Sequence, residues 1–412
     1  MIQTLKEFFL KIITAFVPFK NYKFRNYSFL LLALVYSVGF IGVYLISILQ
    51  DADEDLYQKQ ILGFALGLGV ILFFSLLDYH LLGRFYIVLY LISLGLLLIC
   101  RYSHSLPIYG WAHYDARRWI KIGGDPDAGV NNRGFEFQPS EATKVAMIIF
   151  IAKLFDICYK YIKKIWVMLV AMVLMAIPTF LILIQTDLST SIVLAAMFFV
   201  MLFASGVPFK FIFPIIAAGI PAAYGLFWYV QQEGQVLLTH YQQERILAAV
   251  HPELYPKLMY QQSNAAAAIR SGGTIGKMLA GDTGVRGTTY VPVKESDFIF
   301  TAVAEEFGFI GSILIILMYL AIILLIIRIA KRARDYLGMM IAIGAGGLIL
   351  FQVFINIGVV TSLLPNTGIA LPFMSQGLSS LLMNLILIGI VLNISLQPKD
   401  EIPVEKDEFE LL

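Results

Sequence analysis

Apolar runs approaching twenty residues recur along almost the whole chain, separated by shorter polar stretches. Helical runs of that length match the hydrocarbon thickness of a bilayer, so the pattern predicts membrane-crossing helices and not a β-barrel. Ten spans are expected at about 27–49, 61–78, 84–100, 139–157, 166–184, 188–206, 210–231, 298–328, 336–361 and 378–396. Glu141 and Lys144 interrupt the start of the fourth. Ahead of the first span, Ile2, Leu5, Phe9, Ile12, Ile13 and Phe16 repeat near helical spacing, with Lys6 and Lys11 elsewhere on the circumference. That spacing predicts an amphipathic segment lying on the membrane surface. The expected fold is an all-α integral membrane protein, with an amphipathic N-terminal segment over 1–26, a polytopic domain over 27–397 and a tail over 398–412.

Orientation follows from the basic residues of the short loops. They cluster before the first span (Lys20, Lys23, Arg25), after the fourth (Lys153, Lys160, Lys163, Lys164) and after the eighth (Arg328, Lys331, Arg332, Arg334). On the other side, DADEDLYQKQ is acidic and the turn after the ninth span carries no charge. Both termini are therefore expected in the cytoplasm. Two long extracytoplasmic loops, about 101–138 and 232–297, break the pattern of short connections. Long loops can cross regardless of charge, and they are frequent sites of function.

Composition agrees: of 412 residues 59% are hydrophobic and only 14% charged, against about 25% charged in soluble domains. The net charge of +2 and the absence of a basic tail give no sign of nucleic acid as a partner. Cys100 and Cys158 lie in or beside apolar runs expected on opposite sides, so no disulfide is expected, and no cleavable signal peptide is evident. The five histidines form no HExxH or His/Cys cluster, and no GxSxG elbow occurs. SGGTIGKM lacks the first glycine and the magnesium-binding hydroxyl of a phosphate-binding loop, so that reading fails.

Candidate chemistry gathers at the outer span ends. Asp297 stands at the seam between a glycine-rich stretch from Ser271 and the apolar run that starts at Phe298. A carboxylate at the edge of a hydrocarbon layer suits proton transfer, although Asp also caps helices well. Glu141 and Lys144 form an i,i+3 pair and Asp187 opens the sixth span, each with a structural alternative in self-neutralisation or capping. Asp297, Thr301 and Glu305 share roughly one helix side and Glu306 points nearly opposite, a position that favours a structural role for Glu306. The long loops add Trp111, Arg117, Arg118, Trp119 and Lys121, then Tyr241, Arg245, Gln262, Ser263 and Arg270. Together these describe a polar cavity open to the outside.

Here the residues carry a likeness. RRWIKIGG, FQPSEATK, QTDLST, SGGTIGK, SDFIF with AEEFGFIG, and TGIALPFMSQGLSS occur in order from Arg117 to Ser380 and resemble the signatures of the SEDS family (shape, elongation, division and sporulation). The layout is closer to its elongation members, of the RodA type, than to its division members. Ser189, Ala370 and Gln376-Gly377-Leu378 depart from the glycine, proline and Tyr-Gly-Gly usual there, and GGDPDAGVNNRGFEF is a longer insert than usual. The resemblance implies a peptidoglycan glycosyltransferase of the bacterial cytoplasmic membrane that polymerises lipid II beside a class B penicillin-binding protein. It implies Asp297 as general base, with Arg118, Lys144 and Arg245 near the leaving pyrophosphate, a divalent cation (Mg or Mn) as candidate aid and no organic cofactor. Glu141, Asp187, Gln262, Ser263, Lys277 and Ser379 complete the expected substrate-binding set, and 271–290 is expected to be a flexible loop. The competing readings are a flippase for the lipid-linked precursor and a division or sporulation paralogue.

Overall fold

The computed structural model describes residues 22–49, 55–103, 108–113, 116–123, 135–232, 234–236 and 240–399. The amphipathic segment before Tyr22, most of the insert and the tail after Lys399 lie outside the described residues. Helices run as α1 Phe29–Leu49, α2 Leu56–Leu76, α3 Tyr79–Arg84, α4 Tyr86–Tyr102, α5 Pro139–Ile157, α6 Ile165–Ile184, α7 Leu188–Ala204 and α8 Phe209–Val230. They continue as α9 His240–Val250, α10 Pro256–Gly272, α11 Gly276–Leu279, α12 Ile299–Arg332, α13 Tyr336–Val360 and α14 Leu378–Leu396.

A helix occupies each of the ten apolar stretches. Seven (α1, α2, α6, α8, α12, α13 and α14) are long and apolar enough to cross a membrane. The apolar helices α4 and α7 are shorter, at 17 residues each, and α5 carries Glu141, Lys144, Lys153 and Asp156 along its length. The multi-pass, largely helical class thus holds, and among the described residues seven helices are long and apolar enough to cross, so the count of ten is not met by length and composition. The long loops are built rather than open. The first holds an antiparallel sheet in the order β1 (Ile108–His113), β2 (Ala116–Ile122), β3 (Phe135–Phe137), with Lys121 opposite Glu136 and an ion pair of 2.9 Å between them. The second holds α9, α10, α11 and a 3-10 turn at Gly287–Tyr290.

The core is formed by α5, α13 and α14, buried along most of their lengths, with α12, α7 and α2 packed on them. Away from water every polar group needs a protein partner. Gln60 on α2 donates to the Ser375 carbonyl at 3.0 Å, and Asn393 on α14 donates to the Tyr22 hydroxyl and the Ser75 carbonyl, each at 2.9 Å.

The glycine-rich stretch is not a flexible loop. Within α12 the backbone breaks helical geometry at Gly308, with φ 66 and ψ −164. That break frees amide donors, and the Phe309 and Ile310 N–H groups donate to the carbonyls of Gly273 and Thr274 at 2.9 and 3.1 Å. Such an approach of two backbones leaves no room for side chains. A Cβ at Gly272 would strike Ala304, and one at Gly276 would strike the Glu306 carbonyl. Gly272 and Gly276 are there for close packing, which sequence composition alone does not separate from flexibility.

At the opposite end of α13, His80 bridges two acids, with Nδ1 2.7 Å from Asp78 and Nε2 2.5 Å from Asp335, the N-cap of α13. Burial alone would lower the His80 pKa, but hydrogen bonds to Asp335 and Asp78 prevail and raise it to about 9. A group whose folded pKa lies above its unfolded value of about 6.5 gives stability that is full below 6.5 and lost as pH rises through about 9. Thermal unfolding in detergent should therefore show a melting temperature that falls between these pH values, and a flatter profile in His80→Gln; an identical profile in both proteins would refute the bridge. For topology, a cysteine at Gly281 should react with an impermeant thiol reagent outside the cell and one at Arg332 should not.

Candidate active site

A cavity of about 950 Å³ opens between the N-terminal ends of α5 and α7, the C-terminal half of α13 and the segments around 258–262, 292–297 and 366–380. Asp297, Arg118, Glu141, Lys144 and Gln262 all stand in its wall.

The backbone at Asp297 is held residue by residue. The Glu295 carbonyl accepts from the Gln376 N–H at 2.9 Å, the Ser296 carbonyl from the Ser375 hydroxyl at 2.6 Å, and the Asp297 carbonyl from the Asn356 side chain at 2.8 Å. Asn356 also donates to the Ile369 carbonyl at 2.7 Å, so one carboxamide joins both segments that frame the cavity mouth. The Asp297 carboxylate accepts from the Ser296 hydroxyl at 3.2 Å and lies against Gly368. The N-cap of α12 is Phe298, without a side-chain cap, so capping by Asp297 does not account for its place. Strained non-glycine backbone gathers nearby: Val293 (φ 56) lines the cavity, and Thr186 (φ 63) turns its carbonyl to Arg118. Positive φ at β-branched residues is costly and persists where surroundings enforce it.

On the facing wall, Arg118 donates from Nη2 to the Thr186 carbonyl at 2.5 Å, and its Nε is buried without a partner. Lys144 pairs with Glu141 Oε1 at 2.7 Å, both buried, which leaves Glu141 Oε2 without a hydrogen bond. The cavity wall thus combines the acids Asp297 and Glu295 with a guanidinium and a half-neutralised Glu–Lys pair.

Other expected substrate contacts are committed elsewhere. Asp187 caps α7 by accepting from the Thr190 amide at 3.2 Å and hydroxyl at 2.9 Å, and it is outside the cavity wall. Lys277 pairs with Glu305 at 2.6 Å, Ser263 is exposed away from the cavity, and Ser379 donates to the Glu136 carbonyl at 3.4 Å. Gln262 reaches the cavity, but its amide donates to the carbonyls of Val359 and Leu364, both at 2.9 Å. The side chain of Arg245 lies outside the described residues. Glu305, fully buried, accepts from Lys277, from the amides of Gly287 and Thr288 at 2.6 and 2.8 Å, and from the Thr288 hydroxyl. Glu306 takes a two-point bond from Arg286, at 2.5 and 3.3 Å, which raises the pKa of that guanidinium. Both glutamates hold the outer segment down. One of the departures is structural: the Ser189 hydroxyl donates to the Thr367 carbonyl, a bond glycine could not make.

The wall also contains Gln352, which the sequence reading passed over. A carboxamide within an apolar span is the signal that could have found it. Among the described residues no group of three or more His, Cys, Asp or Glu side chains could hold a metal ion. Glu141 is, besides, half engaged by Lys144.

A family model described as cell cycle protein, covering FtsW, RodA and SpoVE, matches residues 25–400. The probable peptidoglycan glycosyltransferase FtsW of Trichlorobacter lovleyi is 34% identical over 386 residues, 91% of this chain and 95% of its own. Stage V sporulation protein E of Bacillus subtilis is 33% identical over 370 residues, 88% of this chain and 94% of its own. Among solved structures, a chain of a peptidoglycan synthase complex, studied for the coordination of polymerisation and crosslinking, superposes with a TM-score of 0.71 at 25% identity, covering 90% of this chain and 97% of that one.

The close fit at Gly368 gives a direct test. A Cβ there would lie 3.1 Å from the Asp297 carboxylate on backbone with φ +73. Gly368→Ala should cost about 1–2 kcal/mol of stability by thermal unfolding in detergent. Gly95→Ala, where nothing lies within 4 Å, should cost nothing. Equal melting temperatures for the two variants would contradict the fit.

Proposed function

Because the chain belongs to the FtsW/RodA/SpoVE family of cell cycle proteins, we propose that its cavity joins lipid-linked disaccharides of the lipid II type into glycan at the outer face of the bacterial cytoplasmic membrane. It is a multi-pass membrane enzyme, a peptidoglycan glycosyltransferase; its relatives' names favour this over a flippase. The names include division and sporulation proteins as well as MrdB of Escherichia coli, so the elongation role rests on layout alone.

The observation that carries the reading is Asp297, fixed by its own backbone in the wall of a cavity that Arg118 and Lys144 also line. The carboxylate takes the proton of the acceptor sugar hydroxyl. The oxygen bonds to the donor anomeric carbon as that carbon's bond to pyrophosphate oxygen breaks, and the polyprenyl pyrophosphate departs with the bonding pair. Arg118, with an unused buried Nε, and Lys144 are placed to meet the charge that develops on the leaving group. A class B penicillin-binding protein as crosslinking partner is consistent with the synthase complex that the fold resembles.

The test is polymerisation of purified lipid II, with glycan read on gels. Asp297→Asn keeps size and backbone anchoring but cannot take the proton, so the rate should fall about 10²–10⁴-fold with the melting temperature unchanged. Glu306→Gln is the contrast: loss of its pairing with Arg286 should lower melting temperature and activity together. A normally active Asp297→Asn protein would overturn the assignment.

A further inference from the structure

Gln352 has no part in this mechanism, yet it stands in the cavity wall. It lies on α13 one helical turn before Asn356, and it is only 2% exposed. Its Oε1 is buried with no hydrogen bond, as is Oδ1 of Asn356, whose NH₂ group ties Asp297 to Ile369. Glu141 Oε2, in the same cavity, is likewise buried and unbonded. Buried polar atoms without partners weaken a fold, and an apolar side chain of similar size at 352 would avoid the cost. The structure therefore keeps an acceptor here for something that enters the cavity.

The ligand class follows from the chemistry and rests on the polymerase reading. Peptidoglycan sugars carry acetamido groups, each with one N–H donor and one C=O acceptor. A primary carboxamide is their complement: its oxygen accepts from the N–H while its NH₂ donates to the C=O. One turn of α13 separates Gln352 from the residue that fixes Asp297, about 6 Å along the axis, the scale of one sugar ring. We propose that Gln352 is a specificity-determining residue that reads the acetamido group of the acceptor sugar, whose hydroxyl faces Asp297. Glu141 Oε2 supplies a second acceptor in the same wall.

The test uses the full-length protein with two lipid-linked disaccharides: the natural one, and one in which a neutral hydroxyl replaces the acetamido group of the acceptor sugar. Wild type should prefer the natural acceptor by about tenfold or more in kcat/KM, because a site built around a hydrogen bond rejects the analogue lacking it. Gln352→Met should lose most of that preference through the natural substrate, with a melting temperature equal to or above wild type. Gln352→Asn, one methylene shorter, should lose it too. Unchanged discrimination in Gln352→Met, or no discrimination in wild type, would overturn the inference while leaving the polymerase reading intact. So would a marked fall in melting temperature or failure to fold, since either would show that the fold needs the carboxamide. No glycan from wild type with either substrate would instead defeat the polymerase reading.

Discussion

The organising constraint is the satisfaction of three successive carbonyls, Glu295, Ser296 and Asp297, where the chain leaves water and enters the apolar interior. Each receives a donor from a different residue, Gln376, Ser375 and Asn356. In a membrane such groups find no solvent, so the segments that supply the donors must be in place for α12 to start where it does. Asn356 contributes most, because its carboxamide also engages Ile369. It fixes the 366–377 segment and the base of the reacting carboxylate through one rigid helix. Preorganisation of this kind lets a single carboxylate act without rearrangement.

A second device holds the outer segment down. Glu305 carries a charge in a fully buried position, which is tolerable only because Lys277 and three N–H or O–H donors from 287–288 surround it. Glu306 does the same with Arg286. The glycines of 272–276 let the segment lie directly on the broken turn at Gly308. The two glutamates in the eighth span, costly in lipid, are thus the fastening for the segment that leads from α10 to Asp297.

Much of this was legible in the sequence, for physical reasons. Hydrophobic run length locates a helix at each of the ten stretches, because hydrocarbon thickness leaves little freedom in how long an apolar helix must be. The seam at Asp297 was legible from the switch from polar to apolar sequence, and Glu306 as needing a protein partner from the cost of a carboxylate in lipid. The glycine stretch misled because glycine serves both mobility and close backbone approach, and only the opposing Gly308 break distinguishes them. Lys277 and Asp187 misled because a charged residue near a site is as readily consumed by a neighbouring acid or a helix end as by substrate. The sheet within the first outer loop escaped a reading based on spans, and Gln352 was hidden within an apolar run.

The central claim is that Asp297 acts as base in a direct displacement, in a cavity whose other acids are Glu295 and Glu141, the latter tied to Lys144. Retaining transfer would need a second carboxylate as nucleophile and a covalent sugar intermediate. The measurement that decides is the anomeric configuration of newly formed linkages, read by NMR on glycan made from lipid II by the purified protein. The account predicts inversion relative to the donor in every new linkage; retention would contradict it.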